Sequence, residues 1–114
     1  KIIIEVPHAN DVLITLYKSI EFLNFTLWSQ HLILYTRESL RKILEGTGFK
    51  NVIIKGVQRY NFSNHIYWLV KKKPGGHKSS LSLIDDVDHN KSYENMLNKI
   101  DKTDTLVAIA DVNE

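Results

Sequence analysis

Three isoleucines in a row, Ile2, Ile3 and Ile4, restrict the fold of this chain more than any other feature. A β-strand turns alternate side chains to opposite faces, so consecutive β-branched apolar residues leave it no polar face. Residues 1–6 therefore read as a strand buried on both sides, as in a parallel sheet covered by helices. Pro7 lacks the N–H that a ladder needs and closes the run. Glu5 and His8 then lie at or just past the carboxyl end of the strand, the edge at which open α/β sheets bind ligands. Plainer roles stay open to both, Glu5 as a cap or ion-pair partner and His8 as a solvated loop residue. A start directly on a core strand, at Lys1, also reads as the rear part of something longer.

The rest of the chain alternates helical and extended patterns. Asn10 or Asp11 can cap a helix over residues 12–23, in which Leu13, Leu16, Tyr17 and Ile20 form one apolar stripe. Residues 24–34 are rich in apolar side chains without a clean period and read as a connecting, lid-like segment with His31 at its centre. Thr36 is a good N-cap for a helix that buries Leu40, Ile43 and Leu44 and stops at Gly46 or Gly48. A strand follows over residues 51–57, with Val52, Ile54 and Gly56 on one face and Ile53, Lys55 and Val57 on a partly wet one. Ser63 can cap a short helix carrying Ile66, Tyr67, Leu69 and Val70, ended by Pro74-Gly75-Gly76. After a turn-rich, acidic stretch come a helix over residues 91–100, burying Tyr93, Met96, Leu97 and Ile100, and a last strand over residues 105–112. The fold class is α/β, and 114 residues make one domain with a real core.

Residues 58–77, QRYNFSNHIYWLVKKKPGGH, mix large aromatics with many hydrogen-bonding groups. Ligand pockets combine apolar walls with a few placed polar groups in this way, although an aromatic core patch with satisfied neighbours would look the same. Other chemistries are poorly supported. Five histidines show no pair at the helical i, i+4 spacing of a zinc protease, and there is no cysteine to supply a thiolate, so no metal site is expected. Asp85, Asp86 and Asp88 lack the spacing of a calcium loop and read as a solvated turn. A net charge of +2 and one lysine-rich turn argue for neither nucleic acid nor membrane as partner. No glycine-rich loop joins a strand to a helix, as phosphate cradling requires. The absence of cysteine, of a signal peptide and of a long apolar run fits a cytoplasmic protein.

The phrases KIIIEVPH, then residues 31–77, then DTLVAIA resemble the C-terminal part of class I S-adenosylmethionine-dependent methyltransferases. The passage QRY…SNH..WL…PGGH resembles a narrower, bacterial group within them. The resemblance implies the C-terminal portion of a Rossmann-like seven-stranded sheet. Residues 1–6 would be strand five, residues 51–57 strand six, and residues 105–112 strand seven, antiparallel between them. The helix after Thr36 would join strands five and six. Residues 1–114 would then be one C-terminal fragment whose cofactor-binding half lies upstream, and the main S-adenosylmethionine contacts would not be in this chain. What remains would face the methyl acceptor, a small molecule or sugar. On this resemblance Glu5, Gln58, Arg59, Tyr60, Asn64 and Trp68 would shape the substrate site, and one of His8, His31 or His65 would be a general base. The alternative is a catalytically inactive binding or assembly domain that retains the fold. In either case the first strand would keep an unpaired edge, through which copies of the chain could associate.

Overall fold

The computed structural model describes residues 1–29 and 33–112. Its sheet has three strands, β1 (Ile2–Pro7), β2 (Lys50–Val57) and β3 (Thr105–Asp111), in the order β1-β3-β2. β3 runs antiparallel to both neighbours, so β1 and β2 point the same way without touching. The last strand thus lies between the other two, the arrangement expected for it. The molecule is mixed α/β, with five α-helices among the described residues.

The isoleucine run does not behave as a strand covered on both sides. Among the described residues β1 is an edge strand without a parallel neighbour, and Ile3 is 69% exposed while Ile2 and Ile4 are half-buried. The covered face carries Val52, Ile54, Leu106, Ala108 and Ala110, packed against Leu40 and Leu44 of the helix α3 (Arg37–Gly46). Alanine at alternate positions of the central strand leaves room for those leucines, and close packing there is what fixes the helix on the sheet. On the opposite face Ile3, Ile109 and Ile53 lie in register across the three strands, and Ile53 is 52% exposed. β2 therefore has the one wet face its alternation suggests.

Helix boundaries depart from the sequence pattern where polar side chains compete for the backbone. Asp11 does cap a helix, accepting the Leu13 N–H at 2.9 Å, but α1 runs only from Val12 to Thr15. Lys18 takes a left-handed conformation, and Ser19 restarts the chain by accepting the Phe22 N–H at 3.2 Å. Such local side-chain bonds offer the backbone an alternative to a continuous helix. The supposed stripe is consequently broken: Leu13 is buried, whereas Leu16 and Ile20 are exposed. Of the apolar stretch beyond, residues 24–29 belong to helix α2 (Ile20–Ser29) rather than to a connecting segment, and residues 30–32 lie outside the described residues.

Thr36 caps α3 in a reciprocal box with Ser39, in which each backbone N–H is taken by the other residue's hydroxyl. Ile43 is half exposed and lies outside the buried stripe. α4 spans Phe62–Lys71 with Asn61, not Ser63, at its N-cap, and its buried face is Ser63, Asn64, His65 and Trp68. Leu69 and Val70 point outward. Asp85 is more than a solvated turn residue, since it accepts the Ser63 hydroxyl at 2.5 Å and the Ser63 N–H at 3.2 Å. α5 runs from Val87 to Lys99, capped by Asp86, and buries Tyr93 and Leu97 against Val12 and Phe62, while Met96 and Ile100 stay largely exposed. No helix among the described residues is long and apolar enough to cross a membrane.

Candidate functional site

Because β3 runs against its neighbours, the ends of β1 and β2 and the start of β3 share one edge of the sheet. A cavity of about 310 Å³ opens there. Glu5, Pro7 and His8 reach it from β1, Arg59 and Tyr60 from the segment after β2, and Asp104 and Thr105 from the start of β3. α1 contributes Asp11 and Ile14, and α2 contributes Phe22, Phe25 and Thr26. The cavity has apolar walls with a small polar set, the composition of small-molecule sites.

Asp104 holds this edge together. Its carboxylate accepts the backbone N–H groups of Arg59 and Tyr60 at 2.9 and 3.0 Å, the Gln58 side-chain amide at 3.0 Å and the Thr105 hydroxyl at 2.9 Å. Burial raises its pKa in spite of those donors. Asp11 is 2% exposed, and burial, with Asp104 nearby, pushes it up to about 7 even though it caps α1. Arg59 is not free to receive an anion, because its guanidinium is paired with the Glu5 carboxylate.

The candidate histidines divide. His8 is in the cavity wall and buried, with Nδ1–H donating to the Thr103 carbonyl at 2.8 Å. That bond leaves Nε2 as the unprotonated nitrogen. It finds no hydrogen-bond partner among the described residues and lies 3.9 Å from the Asp101 carboxylate. Burial lowers the His8 pKa, against the pull of Asp101. His65 does not reach the cavity. Its Nε2 accepts from the Gln58 amide at 3.0 Å and its Nδ1–H donates to the Tyr93 hydroxyl at 2.7 Å, while burial lowers it to about 4. His31 lies outside the described residues.

Of the remaining expected site residues, Glu5, Arg59 and Tyr60 line the cavity, and Gln58, Asn64 and Trp68 do not. Gln58 opens instead on a second concavity of about 530 Å³, shared with Tyr60, Asp88 and Glu94. Asn64 is buried in α4, and Trp68 stands behind the cavity with its ring 5.2 Å from those of Phe22 and Phe25. Asp11, Asp104 and the two phenylalanines are site residues that the sequence pattern did not single out. A usable signal existed for Asp104, since a residue just before an antiparallel central strand must land beside those just after its neighbours. Asp11 gave no sign beyond its capping role.

Among the described residues no group of three or more histidine and carboxylate side chains is placed to hold a metal ion. Comparisons with protein-family models, with curated proteins and with solved structures find no match to this chain.

Proposed function

We propose that this chain is the C-terminal, substrate-facing part of an S-adenosylmethionine-dependent methyltransferase acting on a small molecule or sugar. The observation that supports this reading is the sheet order β1-β3-β2 with a cavity at the shared strand ends. It is the arrangement that the resemblance of the sequence implies. The residues present do not make a site for the cofactor. Gly46 and Gly48 end α3, Gly56 lies inside β2, and Gly75 and Gly76 follow α4, so none opens a strand-to-helix turn for a nucleotide. The contribution of this chain would be to bind and orient the acceptor, which is a large part of any transfer between two reactants.

The test is calorimetric titration of S-adenosylmethionine into this chain and into the product of its full open reading frame. Binding by the longer protein alone is expected. No binding by either would reject the reading.

A second reading, a binding or assembly domain of this fold without catalysis, draws on the histidines. Neither His8 nor His65 presents an accessible ring nitrogen, which a general base needs. Methyl transfer by the longer protein to any acceptor would remove this alternative.

A further inference from the structure

We infer that the cavity takes a ligand with a primary ammonium group on a small apolar or ring-shaped body, the ammonium seated against Asp11. This rests on reading the cavity as an acceptor pocket and names the chemistry of its occupant. Three carboxylates border the space, Glu5, Asp11 and Asp104, and one cation, Arg59, which Glu5 already neutralises. Among the described residues no lysine, arginine or histidine pairs with Asp11 or Asp104. The Lys102 ammonium donates instead to the Asn10 side-chain carbonyl at 3.0 Å and to the Thr15 hydroxyl at 2.7 Å.

The two buried carboxylates differ in what they lack. Asp104 is surrounded by neutral donors and has little left to offer. Asp11 takes one hydrogen bond, from Leu13, through Oδ1, and Oδ2 accepts none from any described residue. A buried carboxylate with neither a cation nor a full set of donors is expensive to keep ionised. The cavity is the route by which a positive donor can reach it. Ile14, Leu34 and the rings of Phe22 and Phe25 leave apolar and aromatic wall for the body of such a ligand, and aromatic faces attract cations. An anion would add to charge that is already uncompensated, and a neutral polyol would not compensate it.

The test is a titration of the chain with 2-phenylethylamine, 2-phenylethanol and phenylacetate, followed by amide chemical shifts at pH 8. The amine is expected to move the signals of His8, Asp11, Phe25 and Tyr60 and to bind about tenfold more tightly than the alcohol, with no effect from the carboxylate. Asp11→Asn, which keeps a good helix cap, should reduce the amine to the level of the alcohol. Equal binding of the alcohol or of phenylacetate at the same signals would overturn the ammonium assignment and leave the acceptor-pocket reading standing. A preference for the amine that survives in Asp11→Asn would also overturn it. If none of the three moved a cavity signal, both readings would fall. The comparison among the three ligands uses the unaltered chain, so it decides the matter even if the variant folds poorly.

Discussion

The Asp104 carboxylate accepts the backbone N–H of Arg59 at 2.9 Å, so the residue just before β3 holds the segment that leaves β2. Asp104→Ala would leave that N–H and the Tyr60 N–H without their acceptor in a part-buried place and would take one acceptor from the Gln58 amide, which keeps His65. The expected cost is about 3 kcal/mol in urea denaturation, because orphaned buried donors lose their full desolvation penalty. The cavity wall at Arg59 and Tyr60 should loosen with it, read as faster amide exchange at those residues. A loss below about 1 kcal/mol would show that the segment is held by something else.

Asp11 should make the chain less stable as the pH rises. Its folded pKa of about 7 lies above the unfolded value near 3.9, so its contribution is fully present in acid and disappears as the pH climbs through 7. Complete ionisation costs on the order of 4 kcal/mol. His8 and His65 titrate in the opposite sense, so the wild-type profile alone is mixed. The difference from Asp11→Asn isolates the effect: near-equal stability at low pH, and a variant more stable than wild type at pH 8. A constant difference across the range would contradict the burial argument.

His65 is a structural residue on this geometry. His65→Leu keeps the volume but takes away the close partner of the Tyr93 hydroxyl and one of the acceptors of the Gln58 amide, which keeps Asp104, for about 2 kcal/mol of lost stability. Because the folded imidazole resists protonation until about pH 4, its contribution is present above pH 6.5 or so and is lost as the pH falls through 4. The variant should therefore show a shallower acid limb than wild type. Ligand binding in the cavity should be unchanged, and a large loss of binding would return His65 to the site.

Gly76 is pressed against α4, where an added Cβ would meet the Ser63 carbonyl oxygen and lie 2.6 Å from the Asn64 Cα. Those are backbone atoms and cannot swing aside. Gly76→Ala should cost about 2 kcal/mol. Gly46→Ala is its control: nothing lies within 4 Å of the new methyl, and alanine in a helix gains up to about 1 kcal/mol. Equal melting temperatures for the two variants would mean that η1, the short turn Gly76–Lys78, is not packed on α4 in solution.

The sequence is most informative where one residue type answers one local demand. The Thr36 cap and the alternation of Val52, Ile53 and Ile54 follow from such demands, whereas the placement of β3 between its neighbours came only with the family resemblance. The sequence misleads where burial depends on what lies across the fold. The run Ile2-Ile3-Ile4 has no polar face, yet α3 covers only one side of the sheet and Ile3 faces outward. α2 hid from periodicity because its apolar residues are spread around the helix, with Phe22 buried and Ile20 and Leu27 exposed. In the site, Glu5 and His8 were legible from their position at a strand end, whereas Arg59 and Tyr60 stood out through the aromatic and polar mixture of their segment and through the resemblance. Asp11 was not, because its partner in charge, Asp104, is 93 positions away and meets it only in the folded edge.

The exposed isoleucines lead to the final prediction. β1 pairs on one side with β3 and, past its end, His8 bridges to Tyr35, but along Ile2–Val6 its outer row of peptide groups meets no strand among the described residues. An unpaired edge beside an exposed apolar row is a template for another strand. A second copy of the chain supplies one, and antiparallel pairing of two β1 edges would bring Ile3 of each copy near its mate across a two-fold axis. Sedimentation velocity should show concentration-dependent dimers. Ile3→Lys should weaken them by placing like charges together at that axis, and it should leave the melting temperature nearly unchanged because residue 3 is already mostly in solvent. A wild-type chain that stays monomeric at millimolar concentration would rule out the edge as an association site.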